Sequence, residues 1–277
     1  MQSNMLTNRS LDATQIQDYQ ENGFFFPKRV LSDDQVQTSR ECVQALSQRM
    51  GKLKRFDQCH LSFRWAYDLV THPAVLDLME DLLGPDILVH SSRIFYKHPQ
   101  DPSFVSWHLD GRYSGLNSYK APTAWIALSE STVENGCLRV VRGSHKMEEC
   151  PFIERPNPDN LENHGQEVTV PIDENQIVAM PLKPGEMSVH DVNIIHGSEP
   201  NRSTIPRIGF SISYVTPEIP NCKLPLVRVR GKADCSHLPL TEPTPSADLE
   251  ESLTAHLGLL ERLKLQKPRV ATNVQST

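Results

Sequence analysis

Two histidines and an aspartate stand out as a candidate set of metal ligands. His108 and Asp110 are separated by one residue in the apolar run FVSWHLD. Residues i and i+2 of a β-strand point to the same side, so the pattern predicts an imidazole beside a carboxylate. His196 ends a second apolar run, MSVHDVNIIHG, and could supply another imidazole. Two histidines and one carboxylate on one face of a metal are typical of non-haem Fe(II) oxygenases.

Arg207 adds a positive charge to this set, eleven residues after His196. The intervening segment contains Asn201 between prolines, and we expect it to turn a hairpin that places Ser198 opposite Arg207. Burying a guanidinium is costly unless an anion satisfies it, and a carboxylate suits its planar fork. An arginine and a hydroxyl beside an iron site are what the distal carboxylate of 2-oxoglutarate requires.

These motifs resemble the phytanoyl-CoA dioxygenase family. The segment ENGCLRVVRGSHK, residues 134–146, is similar to the family's internal segment, and QIQDYQENGFFFPKRVLSDDQV resembles its opening helices and turn. The resemblance covers about residues 12–215. The ligand pattern that carries it consists of His108-x-Asp110, His196-Gly197-Ser198, Asn201 and Arg207.

The resemblance implies a fold, a cofactor set and roles for particular residues. The fold would be mainly β with flanking helices around a double-stranded β-helix, the jelly-roll core of cupin-like proteins. The cofactors would be Fe(II), 2-oxoglutarate as cosubstrate, and O2. Trp125 would line the cosubstrate pocket, although plain core packing is an equal alternative. The other implied roles are iron ligation by His108, Asp110 and His196, and cosubstrate binding by Arg207 and Ser198.

The retained carboxylate of Asp110 narrows the reaction that the resemblance implies. Halogenating relatives carry Ala or Gly there, so we expect no halogenase. We predict hydroxylation, or a related oxidation, of an unactivated C–H bond in a small metabolite of natural-product biosynthesis, with release of succinate and CO2. The alternatives are an acyl-CoA or carrier-bound amino acid hydroxylase of the same family, a metal-dependent hydrolase or isomerase of this fold, and a non-enzymatic cupin-like binding protein.

Several nearby residues are weaker candidates. His190 lies six residues before His196 but lacks the following Gly-Ser, so we interpret it as no ligand, and His145 as a turn residue. The residues that could instead contact cosubstrate or substrate are Arg93, Tyr96 and Lys97 on the preceding strand, and Arg112 and Tyr113 just after Asp110.

The pattern of apolar and turn residues along the chain predicts which elements position these residues. Residues 1–85 read as helical. Ser32 with Gln35 has the form of a capping box before a first helix, and a second helix fits HPAVLDLMEDLLGP and should end at Gly84. Residues 86–220 contain eight short β-type runs without intervening helices, which favours a jelly roll, and 148–166 reads as a long loop. Residues 221–277 form an extension with one helix, on which Leu249, Leu253, Leu257 and Leu260 predict a single apolar stripe. We predict that residues 1–277 make a single oxygenase domain.

Composition excludes several classes of protein. Lys and Arg number 28 against 34 Asp and Glu, without a basic block, which argues against a nucleic-acid partner. No apolar run reaches the roughly 18 residues of a membrane span, and the first residues lack a secretory signal. The six cysteines form no CxxC pair and predict free thiols. We therefore expect a cytosolic protein with a small-molecule substrate, and oligomeric state is left open.

Overall fold

The fold is seen in a computed structural model of the chain. The side chains of Arg112 and Tyr113, weaker candidates above, lie outside the described residues. The structure describes residues 10–111, 115–116, 120–162, 165–220 and 224–263, and the backbone of 269–270.

The helices begin and end where the sequence offers caps. The Ser32 hydroxyl accepts from the Gln35 backbone N–H, while the Gln35 side chain accepts from that of Ser32, so the predicted capping box is confirmed. Gly84 ends the second predicted helix, as expected. The α-helices are α1 (Ala13–Asn22), α2 (Asp33–Met50), α3 (Arg64–Val70), α4 (Pro73–Leu83) and α5 (Leu249–Arg262).

Each run predicted as a strand contains one, and MSVHDVNIIHG divides into two. The strands are β1 (Phe24–Arg29), β2 (Leu53–Asp57), β3 (Ile87–Lys97), β4 (Val105–His108), β5 (Thr123–Ala127), β6 (Leu138–Val141), β7 (Phe152–Glu154), β8 (Gln166–Val168), β9 (Ile177–Met180), β10 (Glu186–His190), β11 (His196–Ser198), β12 (Arg207–Val215), β13 (Val227–Arg230) and β14 (Arg269–Val270). Of the predicted loop 148–166, three residues form β7, which pairs with β8.

Two open antiparallel sheets form the core. The major sheet has the order β1-β10-β5-β12-β3-β2-β14, with β13 also paired to β3, and the minor sheet has the order β4-β11-β6-β9. Apolar residues of both sheets pack together between them, including Ala127 from β5 and Val140 from β6. The predicted double-stranded β-helix with flanking helices is therefore confirmed.

Alternation along β12 determines what each face of the major sheet carries. Ile208, Phe210 and Ile212 pack with the apolar residues of the helices. Successive side chains of a strand point to opposite faces, so Arg207 and Ser211 face the space between the sheets. The same alternation on β3 directs Arg93, Phe95 and Lys97 inward and leaves Tyr96 in the helical core.

The predicted hairpin between Ser198 and Arg207 is wrong, because β11 lies in the minor sheet and β12 in the major sheet. Buried Asn201 fixes the segment that crosses between them. Its side-chain amide donates to the carbonyls of His98 at 2.9 Å and Ile205 at 2.8 Å. These bonds tie the crossing to the end of β3, so Ser198 and Arg207 approach from opposite sheets.

Helix α5 buries a face that includes a histidine. The predicted stripe of Leu249, Leu253, Leu257 and Leu260 is wrong for Leu257, which is 36% exposed at the edge of that face. The buried face is centred on Leu253, His256 and Leu260. His256 stacks on Phe56 with 4.4 Å between ring centroids. Burial lowers the pKa of His256 to about 4.

We expect acid to destabilise the fold through this buried neutral imidazole. Because the folded pKa is below the unfolded value, the stabilisation is complete above about pH 6.5 and falls as the pH drops toward 4. Urea unfolding at pH 7.5 and 5.0 should show the loss, and His256→Phe should reduce it by about 2 kcal/mol. The exposed His237→Gln should change nothing, and an unaltered pH dependence in His256→Phe would contradict the assignment.

Candidate active site

The three residues predicted as metal ligands meet on the inner face of the minor sheet. His108 ends β4 and His196 begins β11, and the two are paired across the antiparallel ladder. Asp110 follows two residues after His108. Its Oδ1 lies 3.7 Å from His108 Nε2 and 4.0 Å from His196 Nε2. One ligand atom from each residue lies within 4.8 Å of the others, which is the geometry of a group able to hold a metal ion.

Backbone carbonyls orient both imidazoles. His108 Nδ1 lies 2.9 Å from the carbonyl oxygen of Ser106, and His196 Nδ1 lies 3.0 Å from that of Ile194. A carbonyl oxygen only accepts, so each Nδ1 carries the hydrogen and donates it. The Nε2 atom of each ring then faces Asp110 Oδ1. This is the arrangement by which proteins fix the tautomer of a metal-binding histidine.

The second carboxylate oxygen of Asp110 is held from the major sheet. Thr123, the first residue of β5, donates its hydroxyl to Asp110 Oδ2 at 3.0 Å. The Nε2 atom of His190, the last residue of β10, lies 3.6 Å from the same oxygen. Oδ2 is thus directed toward the major sheet, and Oδ1 is presented to the two histidines.

The protonation states of this group suit a divalent cation. Burial raises the pKa of Asp110, but hydrogen bonds to His108 and His190 and the nearby imidazole charge hold it well below its usual range. Burial, followed by the neighbouring imidazoles, lowers the pKa of His196 well below its ordinary value. The group therefore offers an ionised carboxylate and a neutral imidazole at neutral pH. The donor set and its orientation both fit a metal.

A buried cation lies across the space between the sheets. The Arg207 side chain is 2% exposed, and its guanidinium carbon lies 4.3 Å above the centre of the Trp125 ring. Burial lowers its pKa to about 10, so it remains charged at neutral pH. Its Nε has no hydrogen-bond partner, and no described carboxylate lies within 4 Å of it. A buried arginine without a carboxylate partner is unusual in the core between two β-sheets. An anion bound from outside the protein would supply the missing counterion.

Ser198 completes the set from the minor sheet. Its Oγ accepts a hydrogen bond of 2.6 Å from the buried Lys97 Nζ at the end of β3. The structure brings all six predicted site residues into one pocket, although their strands belong to different sheets. We call it the metal-site pocket, and its lining is Arg93, Phe95, Val105, His108, Asp110, Trp125, Leu138, Glu162, His190, His196, Ser198, Arg207 and Ser211.

Comparison with known proteins identifies the family. The sequence profile described as phytanoyl-CoA dioxygenase matches residues 19–209, more than half of the chain. This chain belongs to the phytanoyl-CoA dioxygenase family. The resemblance found in the sequence is confirmed.

Two curated relatives of this family member are dioxygenases. A probable alpha-ketoglutarate-dependent hypophosphite dioxygenase of Stutzerimonas stutzeri is 31% identical over 58% of this chain and 57% of its own length. An ectoine dioxygenase of Sphingopyxis alaskensis is 30% identical over 53% of this chain and 52% of its own length. The chain thus spans just over half the length of these relatives.

Solved structures with the same fold include two oxygenases. The non-heme monooxygenase ThoJ in its apo form superimposes with a TM-score of 0.74 at 30% identity, covering 90% of this chain and 96% of ThoJ. The non-heme alpha-ketoglutarate-dependent carbocyclase SnoK from nogalamycin biosynthesis gives a TM-score of 0.60 at 25% identity, covering 74% of this chain and 84% of SnoK. In the part of this family member that the structure describes, no helix has the length and apolarity to cross a membrane.

Sequence reasoning missed two residues that contact the predicted metal ligands. Thr123 was hidden at the start of an apolar run. Glu162 comes from the segment predicted as an irregular loop, and its Oε2 lies 3.5 Å from His108 Nε2 and 3.8 Å from Arg55 Nη1. Neither position has a periodic signal, because a single polar residue at the end of a strand or in a loop follows no pattern.

Some of the weaker candidates lie at the metal-site pocket and others do not. Arg93 lines the pocket, Lys97 reaches Ser198, and Tyr96 faces the opposite side of the sheet. His190 lies in the pocket but on the Oδ2 side of Asp110. His145 lies outside the metal-site pocket, and its Nε2 bonds to the carbonyl of Gln20.

A wider cleft adjoins the metal-site pocket and shares Val105 and Ser198 with it. It has a volume of about 430 Å³ and includes Trp107, whose ring lies under the Arg139 guanidinium. Trp107 is adjacent to His108 in β4, so it occupies the opposite face of the minor sheet. The predicted metal ligand His108 therefore faces away from this cleft.

We expect Gly209 to be required for the seat of Arg207. A Cβ atom at Gly209 would overlap the indole ring of Trp125, on which Arg207 lies. Gly209→Ala should lower the free energy of unfolding by about 1 to 3 kcal/mol and alter tryptophan fluorescence. Gly258→Ala is the control, because its nearest neighbour is Arg262 Nη1 at 3.5 Å, and it should stabilise α5 by up to about 1 kcal/mol. Wild-type stability in Gly209→Ala would contradict this account.

Proposed function

We propose that this family member is an Fe(II)- and 2-oxoglutarate-dependent oxygenase that hydroxylates, or otherwise oxidises, a C–H bond of a small metabolite. One observation carries the proposal. Two inward-facing histidines and a carboxylate lie in the same pocket as a buried arginine that has no carboxylate within 4 Å among the described residues. A metal and a dicarboxylate together satisfy both parts of the pocket.

In this proposal His108, Asp110 and His196 are the iron ligands. Each imidazole presents Nε2 because its Nδ1 hydrogen is donated to a backbone carbonyl. Asp110 binds through Oδ1, since Oδ2 is occupied by Thr123. Two histidines and one carboxylate on one side leave the remaining coordination positions for ligands from the pocket, as in non-haem Fe(II) oxygenases.

Arg207, Ser198 and Trp125 are the proposed cosubstrate contacts. The planar guanidinium of Arg207 can bind the distal carboxylate of 2-oxoglutarate through two parallel hydrogen bonds. Trp125 holds the guanidinium by stacking, which limits the positions that it can take. When bound, iron and 2-oxoglutarate supply the oxidising chemistry that consumes O2 and releases succinate and CO2. The residues of the chain supply ligand geometry and binding and restrict the access of water.

A small metabolite is the proposed substrate, and natural-product biosynthesis is the proposed setting. The named activity of ectoine dioxygenase, and the biosynthetic origin of SnoK, support this choice. The pocket wall near the metal site offers both an aromatic ring, Phe95, and charged groups, Arg93 and Glu162. Such a wall suits a substrate with apolar and polar parts.

We also propose a single oxygenase domain over residues 1–277 and a cytosolic location. Strands β1 and β2, from the mostly helical first part of the chain, pair with β10 and β3 of the major sheet, which supports one domain. Five described cysteines are free, which supports a reducing compartment.

Anaerobic titration tests the cofactor proposal. Protein freed of metal should develop a visible charge-transfer band only when both Fe(II) and 2-oxoglutarate are present. Asp110→Ala should weaken metal binding, and Arg207→Ala should raise the 2-oxoglutarate concentration needed for the band by at least about tenfold, because an interaction with a charged group is lost.

The same titration separates the proposal from its alternatives. A cupin-like binding protein, or a metal-dependent hydrolase, would bind Fe(II) without developing the band on addition of 2-oxoglutarate. Folded, metal-loaded wild-type protein without a band would overturn the proposal.

Thr123 provides a second test of the metal centre. Thr123→Val removes the hydroxyl that holds Asp110 Oδ2 and keeps the shape of the side chain. The dissociation constant for Fe(II) should rise by about 10- to 100-fold, as is usual when a group supporting a metal ligand is lost. Thr169→Val serves as the control, since exposed Thr169 bonds only to the carbonyl of Pro151. Equal Fe(II) affinity in Thr123→Val and the control would contradict monodentate binding through Oδ1.

A further inference from the structure

Lys97 is a buried ammonium group at the end of β3. Its side chain is fully buried, and Nζ donates to Ser198 Oγ at 2.6 Å and to the backbone carbonyl of Glu199. Burial of an ammonium group without an anion is unfavourable. No described carboxylate lies within 4 Å of Lys97 Nζ, so the charge of this lysine is not compensated by an ion pair within the described chain.

None of the described charged groups near Lys97 is a free counterion for it. Arg207 from β12 adds a second positive charge, while Asp101, Glu199 and Cys137 also face it. Asp101 is bound by Lys54 at 3.2 Å, and Glu199 pairs with Arg139 at 2.7 Å. Burial raises the pKa of the Cys137 thiol, so it carries no charge at neutral pH. Lys97 and Arg207, which are paired across β3 and β12, are thus two buried basic groups side by side, while Asp101 and Glu199 are engaged by other cations.

The bond to Lys97 also determines how Ser198 can act. A serine hydroxyl has one hydrogen to donate and two lone pairs that accept, whereas an ammonium group only donates. The Lys97–Ser198 bond therefore uses a lone pair of Oγ and leaves the hydroxyl hydrogen available. Ser198 lines the pocket together with Arg207, so this hydrogen can be donated to a carboxylate that Arg207 binds.

We infer that Lys97 is a positioning residue for the cosubstrate carboxylate, which turns Ser198 into a hydrogen-bond donor and adds a second positive charge beside Arg207. This role rests on the proposed function, because it presumes 2-oxoglutarate in the pocket. It adds to that proposal a residue that contacts the cosubstrate only through Ser198.

A pH dependence follows from the same geometry. Burial, and then the charge of Arg207, hold the pKa of Lys97 well below its ordinary value. A carboxylate bound beside Lys97 favours the ammonium form and raises this pKa. Between the pKa of the free protein and that of the complex, binding takes up a proton. The dissociation constant for 2-oxoglutarate should therefore rise with pH, by up to about tenfold per unit.

The first experiment compares two ligands in anaerobic Fe(II) titrations followed by the charge-transfer band. Lys97→Met should raise the dissociation constant for 2-oxoglutarate by about 10- to 100-fold, because an interaction between charged groups is weakened. The same variant should bind 2-oxovalerate, which lacks the distal carboxylate, within about threefold of wild type. Lys28→Met is the matched control: its Nζ bonds to the carbonyl of Ser10, and it should bind both ligands as wild type does.

The second experiment measures the pH profile of 2-oxoglutarate binding. The affinity of the wild type and of Lys28→Met should weaken as the pH rises, whereas that of Lys97→Met should lose this dependence. Calorimetry in buffers of different ionisation enthalpy should show proton uptake in the first two proteins and its loss in the third. A purely structural role for Lys97 would leave the pH profile of the variant parallel to that of the wild type.

A double-mutant cycle keeps the inference testable if Lys97→Met is less stable. Ser198→Ala removes the hydroxyl and leaves Lys97, so its combination with Lys97→Met should cost less affinity than the sum of the two single changes. Additive effects, or wild-type affinity for 2-oxoglutarate in Lys97→Met, would overturn the inference. Failure of the proposed function looks different, because wild-type protein would then show no band with 2-oxoglutarate.

Discussion

The architecture of the site depends on one buried positive charge, the Arg207 guanidinium, which needs a counterion between the two β-sheets. Arg207 occupies an inward-facing position where its neighbours along the strand are small, Gly209 and Ser211. The indole of Trp125 supports one face of the guanidinium and supplies no counterion. Burial on this scale is tolerated when a ligand brings the missing negative charge. The pocket, the crossing segment and Lys97 all lie close to this charge and determine how an anion could bind there.

Two hydrogen bonds join the sheets at opposite ends of the pocket. Thr123 of the major sheet donates to Asp110, which follows a strand of the minor sheet. Lys97 of the major sheet donates to Ser198 of the minor sheet. Both bonds are formed by residues that support a proposed ligand contact. The geometry of the site therefore depends on how the two sheets pack against each other.

The fold class and the ligand pattern could be predicted because they are local. The two-residue spacing indicated that Asp110 lies near His108, although β4 ends at His108 and Asp110 lies beyond the strand, and cap residues set the ends of α2 and α4. The pairing of strands was harder to predict from the sequence. The crossing from Ser198 to Arg207 depends on side-chain amide bonds of Asn201 to a distant strand end, and residues 198–207 carry no sign of which sheet each strand joins.

Single polar residues brought in from elsewhere were not predictable either. Thr123 and Glu162 reach Asp110 and His108 through tertiary packing, and neither lies in a periodic pattern. On α5, His256 replaces an expected leucine at the centre of the buried face, because stacking on Phe56 makes an uncharged imidazole acceptable there. Propensity and periodicity describe an element, whereas these choices depend on its neighbours.

The crossing at Asn201 connects two sheets that carry different halves of the site. The proposed metal ligands lie mainly on the minor sheet, and the arginine lies on the major sheet. A ligand that touches both halves must span the gap with its own carbon chain. Chain length is therefore a property by which such a pocket would select among dicarboxylates.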